Sequence, residues 1–385
     1  MHKIMVITTT RAEYGLLTPI MKKIVENPLL ELKLVISGTH LMKEFGYTKK
    51  EIMNDGFKID KEIDWELHGD KSEDISYSMG IIMIKFSKYI KDHRPDFCIL
   101  LGDRFEMLSF ASVLVNFNIP IAHINGGETT EGAIDECYRH ALTKMSTLHF
   151  PNCELHRNRI IQMGENPKRV FNVGDLSNEN INLIHYINRK DLEEELNLDL
   201  SQNIVVTYHP VTTENNSLDQ LNELLKAIDI KNQYSYVITK ANADSCGMEI
   251  NKRLDDFSKN RDNIRVVDSL GMVKFLSLLK HSKMMLGNSS SGIYEAPLFH
   301  IPTINIGNRQ KGRLMPDSVI NCNADAQSII DAINYGFSIN NQLVLKNLNN
   351  QFYQKNTSDN IIFHIVNYLT HENKCIKKKF YEIKK

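Results

Sequence analysis

Carboxylate, guanidinium and imidazole side chains fall in short clusters that directly follow apolar runs. Thr10-Arg11-Ala12-Glu13-Tyr14-Gly15 follows Ile4 to Thr8, Gly102-Asp103-Arg104 follows Phe97 to Leu101, and His123-Ile124-Asn125-Gly126-Gly127-Glu128 closes and follows Ile119 to Ile124. Further on, Asp135-Glu136-x-x-Arg139-His140 sets an acid and a base four residues apart, on one face of a helix. In the second half His209-Pro210-Val211-Thr212-Thr213 and Asn308-Arg309-Gln310 hold the same kind of position. Arg11 and Arg104 can each grip phosphate with paired N–H groups. Asp103, Glu128 and Asp135 are of the type that exchanges protons with a substrate. Taken singly, Asp103-Arg104 and Asp135…Arg139 read equally well as ordinary ion pairs, and His209 as a satisfied buried histidine.

One stretch suits an anion. Gly287-Asn-Ser-Ser-Ser-Gly-Ile-Tyr-Glu295 lies between the apolar run Met284 to Leu286 and a helical pattern over Ile293 to Phe299. A strand-to-helix turn of this kind points backbone N–H groups and serine hydroxyls at one place. Glu295 could then accept two ribose hydroxyls if the anion is a nucleotide diphosphate. A plain helix cap remains the alternative.

The elements that must hold these clusters alternate. Strands are expected at Ile4–Thr8, Leu32–Ser37, Phe97–Leu101, Ile119–Ile124, Leu148–Phe150 and Val170–Val173, with helices over Leu16–Glu26, Ile75–Lys91, Phe105–Asn116, Ala133–Lys144 and Glu154–Met163 between them. Continuous apolar strands, each followed by a helix, predict a parallel sheet covered on both faces. After a polar stretch the scheme repeats, with strands at Ile204–Tyr208, Tyr236–Thr239, Ile264–Val267, Met284–Leu286, Thr303–Ile306 and Val319–Cys322. The expected architecture is therefore α/β, with two Rossmann-like, doubly wound domains facing across a cleft. Residues 1–176 make the first, 177–200 a linker, 201–357 the second, 358–370 a closing helix and 371–385 a solvated basic tail. Ligands of such sheets bind beyond the strands' carboxyl ends, where every cluster named above falls.

Composition narrows the partners. A net charge of −1 with evenly mixed signs excludes nucleic acid as the main one. The six cysteines show no C-x-x-C pair, so neither zinc nor a disulfide framework is expected. No apolar stretch reaches membrane-spanning length, and strand-like residues begin at Ile4, so a cytoplasmic protein without a membrane partner is expected.

Together, Arg11-Ala12-Glu13-Tyr14, Gly102-Asp103-Arg104-Phe105, His123-x-x-Gly126-Gly127-Glu128, Asp135-x-x-x-Arg139-His140, His209-Pro210-Val211-Thr212-Thr213 and Gly287-Asn-Ser-Ser-Ser-Gly resemble the UDP-N-acetylglucosamine 2-epimerases. The resemblance is greatest to the hydrolysing branch that opens sialic and legionaminic acid biosynthesis, and it runs from the first strand to the last helix. It implies the GT-B fold, no cofactor, no metal, and a homodimer or homotetramer. It also implies conversion of UDP-N-acetylglucosamine and water to N-acetylmannosamine and UDP, by elimination to 2-acetamidoglucal and rehydration. On this resemblance Asp103, Glu128 and Asp135 are acid and base, with Glu136 a further candidate, and Arg139 orients a carboxylate. His209 serves the diphosphate leaving group, and Arg11 and Arg104 hold phosphate or sugar. Asn242, Ser289, Ser290, Glu295 and Arg309 bind the nucleotide.

Three positions depart from the family pattern. Asn125 stands where many members have a catalytic glutamate, Gly15 where some have a phosphate-binding serine, and Leu270 where the animal enzyme has a base-contacting histidine. An amide takes no proton at neutral pH, so that task falls to Glu128 or the second step is organised differently. A UDP- or GDP-linked 2,4-diacetamido-2,4,6-trideoxy sugar is the alternative substrate. The non-hydrolysing epimerase, a GT-B glycosyltransferase and a catalytically silent nucleotide-sugar-binding regulator are the alternative activities.

Overall fold

A computed structural model describes the chain apart from residues 44–45, 70, 132, 212–213, 215, 242–246, 269, 372–375 and 384–385, and the side chains of 180, 182 and 183. Strands β1 (His2–Thr8), β2 (Leu30–Ser37), β3 (Ile59–Ile63), β4 (Phe97–Leu101), β5 (Ile121–Ile124) and β6 (Leu148–Phe150) form a parallel sheet in the order β3-β2-β1-β4-β5-β6. Strands β7 (Asn203–Thr207), β8 (Ser235–Thr239), β9 (Ile264–Val267), β10 (Met284–Gly287), β11 (Thr303–Ile306) and β12 (Val319–Cys322) form a second, in the order β12-β11-β10-β7-β8-β9. Read from the other edge, the second order repeats the first. Each sheet therefore reverses direction once, between β1 and β4 and between β7 and β10, and opens a crevice at those carboxyl ends.

Burial explains why the strands read as unbroken apolar runs. Ile4, Met5, Val6 and Ile7 are all fully buried, since helices cover both faces. Ile4 and Val6 join a core with the helix Arg11–Glu26, whereas Met5 and Ile7 join one with the helices Ser72–Asp92 and Phe105–Asn116. In the second sheet Ile204, Val206, Met284 and Leu286 pack with the helices Ser217–Ile230 and Ala326–Gly336.

Two compact units result: Met1–Glu128 with Asp135–Asn182 and Phe352–Lys385, and Thr129–Ile134 with Leu183–Gln351. The chain thus returns to the first unit at Phe352. The last helix, Thr357–His371, is part of that unit's core, with Ile361, Ile365 and Tyr368 buried and the Tyr368 ring edge-on to Phe97 at 5.5 Å. The polar stretch expected as linker forms two helices, Ser177–Leu183 and Arg189–Leu196, the first spanning the boundary.

Three expectations are corrected. Val170–Val173 is not a strand: it makes one bridge, His149 to Val170, and the Val173 N–H then donates to the Pro151 carbonyl beyond the end of β6. The sixth strand of that sheet is β3, whose Ile-Asp-Lys-Glu-Ile sequence carries three polar residues in a row because it lies at an edge with Lys61 and Glu62 exposed. The basic tail is not loose over its described residues. Lys378 Nζ donates to the Ser146 carbonyl at 2.7 Å and to Glu165 at 2.6 Å, and the Tyr381 N–H donates to the Gly164 carbonyl at 2.8 Å. The buried carboxylate draws the tail in, although burial still pushes the Lys378 ammonium down against that attraction. Burial opposes the Glu165 charge, but hydrogen bonds from His149, Lys144 and Lys378 hold the carboxyl down at about 2.

At the second crevice Gly287 has φ +135°, and a Cβ there would lie 2.0 Å from the Thr207 carbonyl oxygen. Backbone on a neighbouring strand cannot give way cheaply. Gly287→Ala is expected to cost on the order of 2 to 4 kcal/mol of stability, seen as a lowered urea midpoint with an unchanged slope.

Candidate functional site

In the first unit the crevice between β1 and β4 is lined by buried charge. Thr10 caps the helix Arg11–Glu26 in a capping box, its hydroxyl accepting from the Glu13 N–H while Glu13 accepts from the Thr10 N–H. Glu13 is nearly buried and its Oε2 also accepts from the Thr9 N–H at 2.7 Å and the Thr9 hydroxyl at 2.9 Å. Burial pushes its carboxyl up to about 7, against the pull of Arg104 and the Thr9 bonds and with the help of the Glu106 charge.

Beside it, beyond β4, Gly102 turns with φ +82°. Its carbonyl accepts from His123 Nε2 at 2.7 Å, which fixes the proton on that nitrogen and leaves Nδ1 to accept from the Thr143 hydroxyl at 3.1 Å. Burial pushes His123 down to about 4, so the ring is neutral and serves to hold the turn that presents Asp103. Asp103 meets Arg139, which is almost wholly buried on the helix Asp135–Met145 and also donates to Glu136 at 2.7 Å. Burial works against the guanidinium's charge, and the Asp103, Glu128 and Glu136 carboxylates around it outweigh that cost. Arg139 thus pairs with the carboxylates of Asp103 and Glu136. The i to i+4 pairing drawn from sequence is observed between Glu136 and His140, at 3.0 Å.

Beyond β5, Glu128 is nearly buried and accepts from Asn152 Nδ2 at 2.9 Å. The two remaining arginines are held by acids of the protein itself. Arg104 donates to the fully buried Glu106 through Nε at 3.2 Å, and Arg11 reaches Glu51 at 2.7 Å. Those carboxylates lie elsewhere in the chain, or on the helix that follows, and nothing about the arginines alone announces them.

In the second unit one side chain organises the crevice between β7 and β10. Asn288, fully buried, accepts from the His209 N–H at 2.7 Å and donates to the His209 carbonyl at 2.8 Å. Its own carbonyl accepts from Arg309 at 3.1 Å and from Gln310 at 2.7 Å. His209 and Arg309, 100 residues apart in sequence, are thereby brought to one residue. Ser289 and Ser290 lead into the short helix Ser291–Tyr294, the Ser289 hydroxyl accepting from the Ser291 N–H at 3.3 Å, and Glu295 closes its far end half-buried. Asn242, Thr212 and Thr213 lie outside the described residues.

Asp103, Glu128, Asp135 and Arg139 therefore belong to the first unit's carboxyl-end cluster, and His209, Ser289, Ser290, Glu295 and Arg309 to the second's. Sequence reasoning gave no role to Glu13, Glu106, Asn152, Asp175 and Asn288. Asn152 directly follows the Leu148–Phe150 run and its Pro151, and the Thr10-x-x-Glu13 spacing is a capping signature, so both carried a signal. Among the described residues no helix is long and apolar enough to cross a membrane, and no three His, Cys, Asp or Glu side chains converge to hold a metal.

Two doubly wound sheets, each with its polar residues at the switch point, define the GT-B-like class of α/β proteins. Residues 22–366 match the model of the UDP-N-acetylglucosamine 2-epimerase family. The chain belongs to that family, and its relatives place it in the hydrolysing branch. It is 44% identical over 322 residues to a GDP/UDP-N,N'-diacetylbacillosamine 2-epimerase (hydrolyzing) of Campylobacter jejuni, covering 83% of this chain and 84% of that one. It is 35% identical to polysialic acid biosynthesis protein P7 of Escherichia coli, covering 100% and 98%. The fold matches the crystal structure of UDP-GlcNAc 2-epimerase from Neisseria meningitidis bound to UDP-GlcNAc with a TM-score of 0.80 at 17% identity, covering 94% and 99%.

The raised Glu13 carboxyl ties stability to pH. The folded state keeps this proton up to about 7, whereas the unfolded chain releases it near the ordinary value of 4.5. Stability from this group is therefore undiminished below pH 4.5 and is lost as pH rises through 7, by on the order of 3 kcal/mol. Glu13→Gln keeps the capping geometry, so urea unfolding between pH 5 and 8 should show the variant gaining on the wild type as pH rises.

Proposed function

We propose that this chain eliminates a nucleoside diphosphate from a nucleotide-linked 2-acetamido sugar and rehydrates the product with inversion at C2. The observation that carries the reading is the buried Arg139 ringed by Asp103, Glu136 and Glu128 at the carboxyl ends of β4 and β5. In the first step a carboxylate removes the C2 proton while the C1–O bond breaks and its electrons leave with the diphosphate. In the second, water adds its hydroxyl to C1 and a proton returns to C2 from the other face. Both steps need carboxyl groups that hold and release protons in a site poor in water, with their geometry fixed. One guanidinium among three carboxylates supplies that: it bonds Asp103 and Glu136 directly and leaves the group short of positive charge.

In this reading Asp103, Glu128 and Asp135 share the acid and base roles, and Arg139 orients Asp103. His209 serves the departing diphosphate. Ser289, Ser290, Glu295, Arg309 and Asn242 hold the nucleotide, with Arg11 and Arg104 for phosphate or sugar once their acidic partners yield. A nucleotide-linked 2,4-diacetamido-2,4,6-trideoxy sugar is the substrate favoured, on the 44% identity to a relative named for N,N'-diacetylbacillosamine. UDP-N-acetylglucosamine, giving N-acetylmannosamine and UDP, is the second reading, supported by the polysialic acid relative that the whole chain matches. A cytoplasmic homodimer or homotetramer is part of the same proposal.

Proton NMR in D2O with each sugar nucleotide tests it. Free 2-epimerised sugar bearing deuterium at C2, together with UDP, is the expected product. A deuterated sugar still joined to UDP would mean the non-hydrolysing reaction, and transfer only to an added acceptor a glycosyltransferase. Asp103→Asn should lower kcat by a hundredfold or more with UDP affinity nearly unchanged in calorimetry. Ser290→Leu should instead weaken UDP binding first.

A further inference from the structure

Asn152 sits fully buried just past β6 and has one amide group between two buried acids. Its Nδ2 donates to Glu128 Oε1 at 2.9 Å and to Asp175 Oδ2 at 3.2 Å. Both hydrogens of the amide are thereby used. The amide cannot turn over, because its oxygen would then face two acceptors. Its Oδ1 is engaged on the far side by His156 Nδ1 at 2.6 Å, which must be the donor. Asp175 is fixed as well: Oδ1 accepts from the Ser177 N–H at 2.9 Å and from the Ser177 hydroxyl at 2.5 Å, and Oδ2 also faces Asn125 Nδ2 at 3.4 Å. Burial pushes the Asp175 carboxyl up, against its hydrogen bonds, and the Glu128 charge adds to the rise.

We propose that Asn152 and Asp175 are positioning residues for Glu128: the Asn152 amide fixes the direction in which the Glu128 carboxylate faces, and the Asp175 carboxylate, itself anchored on Ser177, holds that amide in place. This deepens, and rests on, the reading of Glu128 as an acid–base group. The mechanism above gives neither residue a task, yet between them they use one buried amide, one buried carboxylate and a buried histidine. Such an arrangement is costly unless every polar atom is placed. It also answers the departure at Asn125. With an amide in the place of the family's glutamate, the second carboxyl of this region is Asp175, one hydrogen bond away from both Asn125 and Asn152.

The charged and titratable groups around Glu128 are Arg139 on the helix Asp135–Met145, Cys153 and Arg159 at the helix Glu154–Gln162, and Asp175. Only the last changes in Asp175→Asn. Both Asp175 oxygens face donors, Asn152 on one side and Ser177 on the other, so an asparagine there must turn its NH2 towards one of them. The Asn152 amide is then no longer held, and kcat should fall roughly fivefold or more while UDP affinity stays nearly unchanged. The same direction holds whether Glu128 acts as base or as acid.

The experiment compares wild type, Glu128→Gln, Asn152→Asp and Asp175→Asn with UDP-N,N'-diacetylbacillosamine, or with UDP-N-acetylglucosamine if that is the sugar the wild type converts. Asn152→Asp keeps the shape and removes the donor. We expect its kcat to fall at least tenfold, with UDP affinity by calorimetry within about threefold of wild type. Asn152→Ser, too short to reach both acids, replaces it if the added carboxylate prevents folding. An inactive Glu128→Gln beside Asn152 and Asp175 variants with wild-type kcat overturns this inference alone. So does a loss of UDP affinity as large as the loss of kcat. An active Glu128→Gln, or a wild type that converts neither sugar, removes the underlying reading itself.

Discussion

A guanidinium as deeply buried as that of Arg139 cannot stand without anions beside it, and this requirement shapes the first unit's crevice. The cost of bringing such a charge out of water is several kcal/mol, and removing one partner of a buried pair leaves much of it uncompensated. Asp103 and Glu136 provide direct partners and Glu128 a third charge. Those acids must in turn be held. His123 fixes the turn that carries Asp103, the helix Asp135–Met145 carries Glu136 with Arg139, and Asn152 holds Glu128. Each support comes from the end of a different strand or the start of the helix that follows it.

The second unit solves a different problem with the same topology. Its crevice is organised by a neutral residue, Asn288, whose side chain imitates a backbone partner for His209 and whose carbonyl gathers Arg309 and Gln310. Because the strand order is repeated, the turn after β10 holds the place in the second sheet that the turn after β4 holds in the first. One switch point carries carboxylates and an arginine, suited to moving protons. The other carries amides, serines and a histidine, suited to a polar ligand that must be held and released. The residue types at two equivalent positions thus differ in charge.

Buried acids outside hydrogen-bond reach of Arg139 give the first unit its further character. Glu13 feels the charge of Arg104, and Asp175 shares the Asn152 amide with Glu128. Burial penalises the charge of Glu13 and Asp175 while nearby cations and donors restore only part of it, so both carboxyls are pushed up. A region of that kind stays responsive to the arrival of an anion or a proton.

Periodicity and composition determined much of this by themselves. Eleven of the twelve strands among the described residues, the parallel covered sheets and the placing of polar clusters at strand carboxyl ends were legible, since a buried parallel strand must be apolar throughout and its following turn is free to be polar. The edge strand β3 was not, because an exposed edge tolerates Asp60, Lys61 and Glu62 and breaks the apolar run. Val170–Val173 was misread for the opposite reason: it is apolar because it packs against a core, although it pairs at a single bridge. Residue types at Asp103, Arg139 and Glu128 could be named from sequence as candidates, but their partners could not. Whether Arg139 meets Asp135, four residues away, or Asp103, 36 residues away, depends on which side chains the fold brings within reach of a charge that has lost its water. The same holds for Asn152 and Asp175. An asparagine after one strand and an aspartate after the next segment say nothing singly; only the tertiary structure places one amide between two acids and makes its orientation count.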